Sequence, residues 1–173
     1  TTPKHIRQAA KAIHPLARAM RKHEIHVVDT RAGDVKPIPM ALKSRFAAKL
    51  ARGEAVTSVE ILPPRSCVMD EMIAKARACA LAGIDAINIP DGPRASARVS
   101  PMIASIGIKQ QAGIEPVLHY CCRDRNLLGM QSDLMGANAA GIYNILVITG
   151  DPPKIGDYPD MTGVFDVDAI GLT

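Results

Sequence analysis

Four short apolar runs each end in residues able to do chemistry. Glu60 closes one, followed by Pro63-Pro64-Arg65; Asp91 follows a second, with Arg94 and Arg98 beyond it. His119 stands in a third, ahead of Cys121-Cys122-Arg123-Asp124-Arg125-Asn126. Asp151 follows Asn144-Ile-Leu-Val-Ile-Thr149-Gly150 and precedes Pro152-Pro153. Beside Ile61, Leu62 and two prolines, Glu60 is expected to be desolvated, which raises a carboxyl pKa toward that of a working general acid. An ionised Asp151 at a strand end stabilises positive charge nearby. The arginines match anionic groups. Proton transfer combined with charge stabilisation around one ligand is the chemistry these types support. Structural alternatives stand beside it: a Glu60–Arg65 ion pair, Asp151 capping the turn before Pro152, and a hydrogen-bonded structural His119.

Such residues converge only if the apolar runs are parallel strands. Ala82-Gly83-Ile84, Ala112-Gly113-Ile114 and Ala140-Gly141-Ile142 recur about every 29 residues, the period of one helix plus one strand. Each glycine suits the left-handed residue that ends a helix, and each isoleucine opens an apolar run. The expected strands are Thr57–Leu62, Ala86–Ile89, Val117–Tyr120 and Ile145–Thr149. Between them the pattern predicts three helices. The first is capped by Ser66 and turns Met69, Met72, Ile73, Ala76 and Ala80 inward. The second is capped by Ser100, with Pro101 in its first turn. The third is capped by Asp124, with Leu127, Leu128, Leu134 and Met135 inward.

Regular strand–helix alternation means parallel β/α units. Four such units form the N-terminal half of a (β/α)8 TIM barrel, whose active site lies at the carboxyl ends of the strands. A doubly wound sheet is the rival. Its glycine-rich phosphate turn after the first strand is missing, because Gly83, Gly113 and Gly141 fall on the helix-to-strand side.

Glu60-Ile-Leu-Pro-Pro-Arg65, the His119 strand end and Ile148-Thr-Gly-Asp151-Pro-Pro resemble the flavin-dependent methylenetetrahydrofolate reductases. The stretch from Arg123-Asp-Arg-Asn126 through Gly156-Asp-Tyr158 to Val164-Phe-Asp-Val-Asp168 is similar to the reductase half of bifunctional bacterial proteins that join a homocysteine methyltransferase to such a reductase. The resemblance covers about residues 55–173 and implies reduction of 5,10-methylenetetrahydrofolate to 5-methyltetrahydrofolate, with FAD as cofactor and NAD(P)H as co-substrate. It implies Glu60 as the acid that opens the substrate ring. It implies Asp151 as a catalytic carboxylate that tunes the flavin, binds it, and stabilises the substrate cation. Cofactor contacts carried over are Asp91, His119, Thr149, Gly150, Asp151, Val164 and Phe165. The family often has Arg where Thr149 stands, and Asn88-Ile-Pro-Asp91-Gly-Pro departs from the Thr-Tyr-Gly form of simpler reductases. Arg98, Arg123 and Arg125 are open to flavin pyrophosphate, folate glutamate or plain ion pairs. A flavin-free pterin-binding methyl-transfer barrel, a non-catalytic docking domain and a phosphosugar barrel are the competing functions.

Thr1-Thr-Pro-Lys-His-Ile-Arg7 resembles the segment just after the zinc-thiol motif of homocysteine methyltransferases, so residues 1–22 are expected to be the terminal helix of such a domain, with an ordinary helix capped by Thr2 as the alternative. Zinc would belong only upstream, and no metal site is expected here. Residues 23–54 are expected to be a linker containing a short helix over 42–52, and residues 55–173 the half barrel. A half barrel leaves two open sheet edges, and the chain is expected to be a fragment that is poorly soluble or self-associates on its own.

Composition fits this frame. Hydrophobic residues make up 47% and aromatics 3%, which suits aliphatic β/α packing. The charge of +4 is uneven: residues 1–54 hold 12 Lys/Arg against 4 Asp/Glu. Those basic residues are dispersed and lack aromatic partners, which argues for a solvated segment and against nucleic acid. Neither a membrane span nor a signal peptide is seen. Cysteines 67, 79, 121 and 122 form no disulfide frame, so a cytoplasmic location is expected. Folate as the substrate is what the resemblance implies, and a homo-oligomer is expected.

Overall fold

The computed structural model describes residues 37–173, together with Lys4 and Gln8. The expectations for residues 1–22, and for residues 23–36 of the linker, lie outside the described residues.

Two short helices come first, α1 (Met40–Lys43) and α2 (Arg45–Ala51). They replace the single helix expected over 42–52. Ser44 is extended (φ −159°) and breaks the run; its hydroxyl accepts the Ala47 N–H to cap α2 and donates to Asn144 Oδ1 at 2.7 Å. Four alternating units come next: β1 (Ser58–Glu60), α3 (Asp70–Leu81), β2 (Ala86–Ile89), α4 (Pro101–Ala112), β3 (Glu115–Cys121), α5 (Leu127–Ala139), β4 (Asn144–Ile148) and α6 (Ala169–Leu172). Single 3-10 turns, Pro93–Ala95 and Pro153–Ile155, lie in the loops after β2 and β4.

The strands form one sheet in the order β1-β2-β3-β4, all parallel. Sequential order without reversal is that of consecutive barrel units; a doubly wound sheet would reverse direction at a switch point. The structure is therefore a partial (β/α) barrel, as expected. Gly83, Gly113 and Gly141 all have positive φ where a helix hands over to a strand.

Strand alternation sorts the side chains. On one face Ile87 and Ile89 pack with Met72, Ile73, Ala76, Ala104 and Ile108 from α3 and α4. Leu118 and Tyr120 pack on the same side with Met130 and Ala137 from α5. Glu60 pairs in register with Asn88, Asn88 with Val117, and His119 with Leu146, so these residues share the face that no described helix covers.

Three local expectations change. Ser66 does not cap α3, which begins at Asp70; its hydroxyl is spent on the Val68 backbone. Asp124 does not cap α5, because it is bound by Arg123, and Asn126 accepts the Gly129 N–H instead. Leu128 and Met135 are 76% and 61% exposed. The helix starts two residues later than Asp124 would place it, and that phase turns Met130 and Ala137 inward.

At the amino edge of the sheet α2 is fastened by ion pairs. Lys49 meets Asp85 at 2.5 Å and Arg45 meets Glu115 at 3.5 Å. The opposite edge is left to the loops that carry the chemistry.

Candidate active site

The polar row on the uncovered face begins at Ser58, whose hydroxyl accepts from Asn88 Nδ2 at 2.8 Å. Asn88 Oδ1 lies 3.4 Å from His119 Nε2. Half-burial pushes the imidazole pKa below its ordinary value, against the pull of Glu60 and Asp91. His119 is thus held neutral around pH 7, offering one donor and one acceptor.

Glu60 ends β1, whose residues are all exposed. The desolvation expected from its apolar neighbours is not present among the described residues, because β1 is an edge strand paired only with β2. The ion-pair alternative is not realised either: Arg65 turns to Asp157 at 3.5 Å. Among the described residues the Glu60 side chain has no hydrogen-bond or ion-pair partner, and it stands on the open face with His119.

The second cluster ties together the loops after β2, β3 and β4. Arg123, with a side chain only 3% exposed, is its hub. Nε and Nη2 grip both oxygens of Asp124 at 2.7 and 2.6 Å. Nη1 donates to the Asp151 carbonyl at 3.1 Å, and Nη2 to the Gly92 carbonyl at 3.4 Å. One guanidinium thereby reaches three strand ends, which a lysine, lacking the fork, cannot do.

Asp151 is exposed at the end of β4, and its Oδ2 accepts the Arg94 N–H at 2.8 Å. The expected cap on its own turn is absent; the carboxylate shapes the neighbouring loop. Gly150 has φ +100°, and a Cβ there would run into Cys121 Sγ and Arg123 Cβ. Close backbone approach, then, is what the glycine permits. Thr149 Oγ1 accepts the Ala169 N–H at 3.1 Å, while its carbonyl lies 3.6 Å from Cys121 Sγ. Burial pushes the Cys121 thiol up to about 11, so it is protonated and unreactive at neutral pH.

Asp91 is buried. Its Oδ2 accepts the Cys121 N–H at 3.0 Å and Arg125 Nη1 at 2.7 Å. Arg125 also meets Asp133 at 3.1 Å and lies over the Tyr120 ring at 4.7 Å. Burial first, and the Asp133 hydrogen bond second, push the Tyr120 hydroxyl pKa upward. Both arginines are thus committed to protein partners, and the ion-pair alternative holds for them. Arg98 donates to the Pro63 carbonyl at 2.8 Å. The Val164 N–H donates to the Arg123 carbonyl at 2.8 Å, and Phe165 is buried with φ 46°.

A cleft of about 320 Å³ opens between these loops, lined by Arg98, Ser96, Asp124, Arg125 and Tyr158 among others. Among the described residues no cluster of His, Cys, Asp or Glu is placed to hold a metal. No described helix is long and apolar enough to cross a membrane.

The structure therefore brings His119, Asn88 and Glu60 together in one row, and Asp91, Gly150, Asp151 and Thr149 together around Arg123 and Cys121. Glu60 and Asp151 end the two outer strands of the described sheet, three spacings apart along it. Sequence reasoning missed Asp133 and Asp157, and could not rank Arg123. The alternation Arg123-Asp124-Arg125 immediately after a strand was the available signal for the ion-pair hub.

A search of the curated proteins finds no match to the chain. A comparison with protein-family models gives a match to methylenetetrahydrofolate reductase over residues 45–168, from the first residue of α2 to the cap of α6. That span takes in every strand, both strand-end clusters and the loops that join them, and so the chain belongs to the methylenetetrahydrofolate reductase family, whose fold is the TIM barrel.

Proposed function

We propose that this chain reduces 5,10-methylenetetrahydrofolate to 5-methyltetrahydrofolate with NAD(P)H through bound FAD, using the carboxyl edge of its sheet. The observation that carries the reading is the placement of neutral His119, exposed Asp151 and exposed Glu60 along one rim. The donor set fits a flavin. A neutral imidazole suits the uncharged ring system, and Asp151 keeps Oδ1 unused in the hydrogen bonds of the described residues while Oδ2 holds Arg94. FAD, when bound, would accept hydride from the nicotinamide and pass it to the one-carbon unit.

The remaining work falls to the chain. The Asp151 carboxylate disfavours negative charge close to it and stabilises the iminium cation of the opened folate ring. Glu60, at the far side of the rim, delivers the proton that opens that ring. His119 orients the cofactor through the nitrogen not directed at Asn88. Thr149 and Gly150 present backbone to the cofactor edge. Asp91 would act on it through the shape of the β2 loop, and Val164 and Phe165 would help to hold its adenine end. The N-terminal residues fit attachment to a homocysteine methyltransferase domain.

The test is an anaerobic visible spectrum of the purified full-length protein, before and after NAD(P)H. A flavin spectrum that bleaches with NAD(P)H and recovers with methylenetetrahydrofolate supports the reading. A folded protein that takes up no FAD overturns it in favour of a flavin-free pterin site.

A further inference from the structure

We propose that Arg123 is a positioning residue for Asp151, fixing the direction of its carboxylate by holding the Asp151 peptide from the protein side. The proposal rests on the role given to Asp151 above.

Three observations converge on it. Arg123 is almost wholly buried, yet its partners are not another core charge. They are two loop carbonyls, Gly92 and Asp151, and the half-exposed Asp124. Burying a guanidinium for packing alone is expensive, and an apolar side chain of similar volume would pack as well. The fork is instead matched to its partners, with Nε and Nη2 on Asp124 and Nη1 on the Asp151 carbonyl.

The Asp151 peptide is also unusually constrained. Gly150 at φ +100° lets the chain pass against Arg123 Cβ, where a Cβ would come within 3.0 Å. Pro152 fixes the other side. With its carbonyl tied to Arg123 and its φ/ψ limited by both neighbours, Asp151 has little freedom left except at the side chain. Arg94 N–H takes that up at 2.8 Å.

Finally, Arg123 holds both ends of that last bond. The Gly92 carbonyl fixes the loop that carries Arg94, and the Asp151 carbonyl fixes the carboxylate that meets it. The charge of Arg123 is neutralised by Asp124, so what it supplies to the rim is direction.

The experiment is a double-mutant cycle in the flavin-loaded full-length protein: wild type, Arg123→Lys, Asp151→Asn and the double variant. Flavin midpoint potential and the rate of flavin reoxidation by methylenetetrahydrofolate are measured on each. Lysine keeps the charge and loses the fork. The expected loss in reoxidation rate on Arg123→Lys is about ten-fold when Asp151 is intact and under about two-fold in the Asp151→Asn background. The potential should shift only where Asp151 is present. In the flavin-free protein, amide exchange at Arg94 should quicken in Arg123→Lys. Equal losses in both backgrounds, or unchanged exchange at Arg94, overturn the proposal and leave Arg123 a structural residue. If Asp151→Asn alone changes neither potential nor rate, the reading of Asp151 itself fails, whatever Arg123 does. Should Arg123→Lys not fold, Asp124→Asn loosens the same fork at a more exposed position, and its effect must show the same dependence on Asp151.

Discussion

The Asp151 carboxylate accepts the backbone N–H of Arg94 at 2.8 Å, so the end of β4 shapes the loop after β2. That loop needs the help. Arg94 and Ala95 both take positive φ, 56° and 50°, which costs an L-residue about 1–2 kcal/mol each. Asp157 adds to the restraint, accepting from Ala97 N–H at 3.1 Å and donating its own N–H to the Ala95 carbonyl at 3.2 Å. Strain of this kind persists where the surroundings over-determine it, and it collects at functional sites.

Asp151→Asn keeps an oxygen for Arg94 and removes the charge. We expect normal folding and a fall of about 10²-fold in flavin reoxidation by the folate substrate, the scale of losing one electrostatic contact to a transition state. Asp151→Ala removes the hydrogen bond as well, and limited proteolysis should then cut within residues 92–97. Stopped-flow absorbance and peptide mapping separate the two effects.

Gly150→Ala should be strongly destabilising. It combines φ +100° with a clash against Cys121 Sγ and Arg123 Cβ, both inside the packed network. A loss of about 3 kcal/mol is expected, from backbone strain and overpacking together. Gly83→Ala, at φ +80° with nothing nearby, should cost only about 1 kcal/mol. Chemical denaturation of the two variants distinguishes conformational strain from steric conflict.

Much of this arrangement was legible in the sequence because glycine and proline punctuate it at regular intervals. The Ala-Gly-Ile repeat revealed the period, the strand order and the edge at which Glu60, His119 and Asp151 collect. Helix phase was harder to read. Leu128 and Met135 have the types of core residues, and only the Asn126 cap, two residues beyond Asp124, decides that Met130 faces inward. Side-chain pairing was not readable at all. Arg65 takes Asp157 in place of Glu60, and Arg123 takes Asp124 in place of a ligand, because loop paths set those distances and local spacing does not.

Arg125→Met tests the second hub. Its removal leaves Asp91, 7% exposed, as a buried carboxylate with only the Cys121 N–H for company. Breaking a buried pair by deleting one partner costs about 3–5 kcal/mol. Asp91→Asn in the same background should recover part of that loss, since the stranded charge is then gone. Melting temperatures of the single and double variants give the answer, and a further loss on adding Asp91→Asn would contradict the assignment.

His119 gives the fold a specific response to acid. Burial lowers its pKa below the ordinary 6.5, so the native state resists protonation more than the unfolded chain does. The stabilisation is complete above about pH 6.5 and is lost as pH falls from there through the lowered native value. Carboxylates weaken the fold at lower pH, so the histidine contribution is isolated by comparison with His119→Gln, which can still meet Asn88. The stability difference between wild type and His119→Gln should be flat above neutrality and narrow as pH falls below about 6.5. A difference that stays constant across that range would mean that the imidazole is not held neutral.

Glu60→Gln separates the two halves of the proposed reaction. Glu60 is exposed and meets no partner that folding depends on, with Arg65 paired elsewhere, so the variant should melt within about 0.5 kcal/mol of wild type. Hydride transfer from NAD(P)H to the flavin calls for no acid at the folate ring. Flavin bleaching by NAD(P)H should therefore proceed at the wild-type rate. The folate half-reaction needs a proton for ring opening, and glutamine has none to give; general acid catalysis of this type contributes about 10²–10⁴-fold. Stopped-flow traces of the two half-reactions, taken separately, show whether the loss falls only on the second. A loss shared equally by both would place Glu60 in cofactor binding and remove it from acid catalysis.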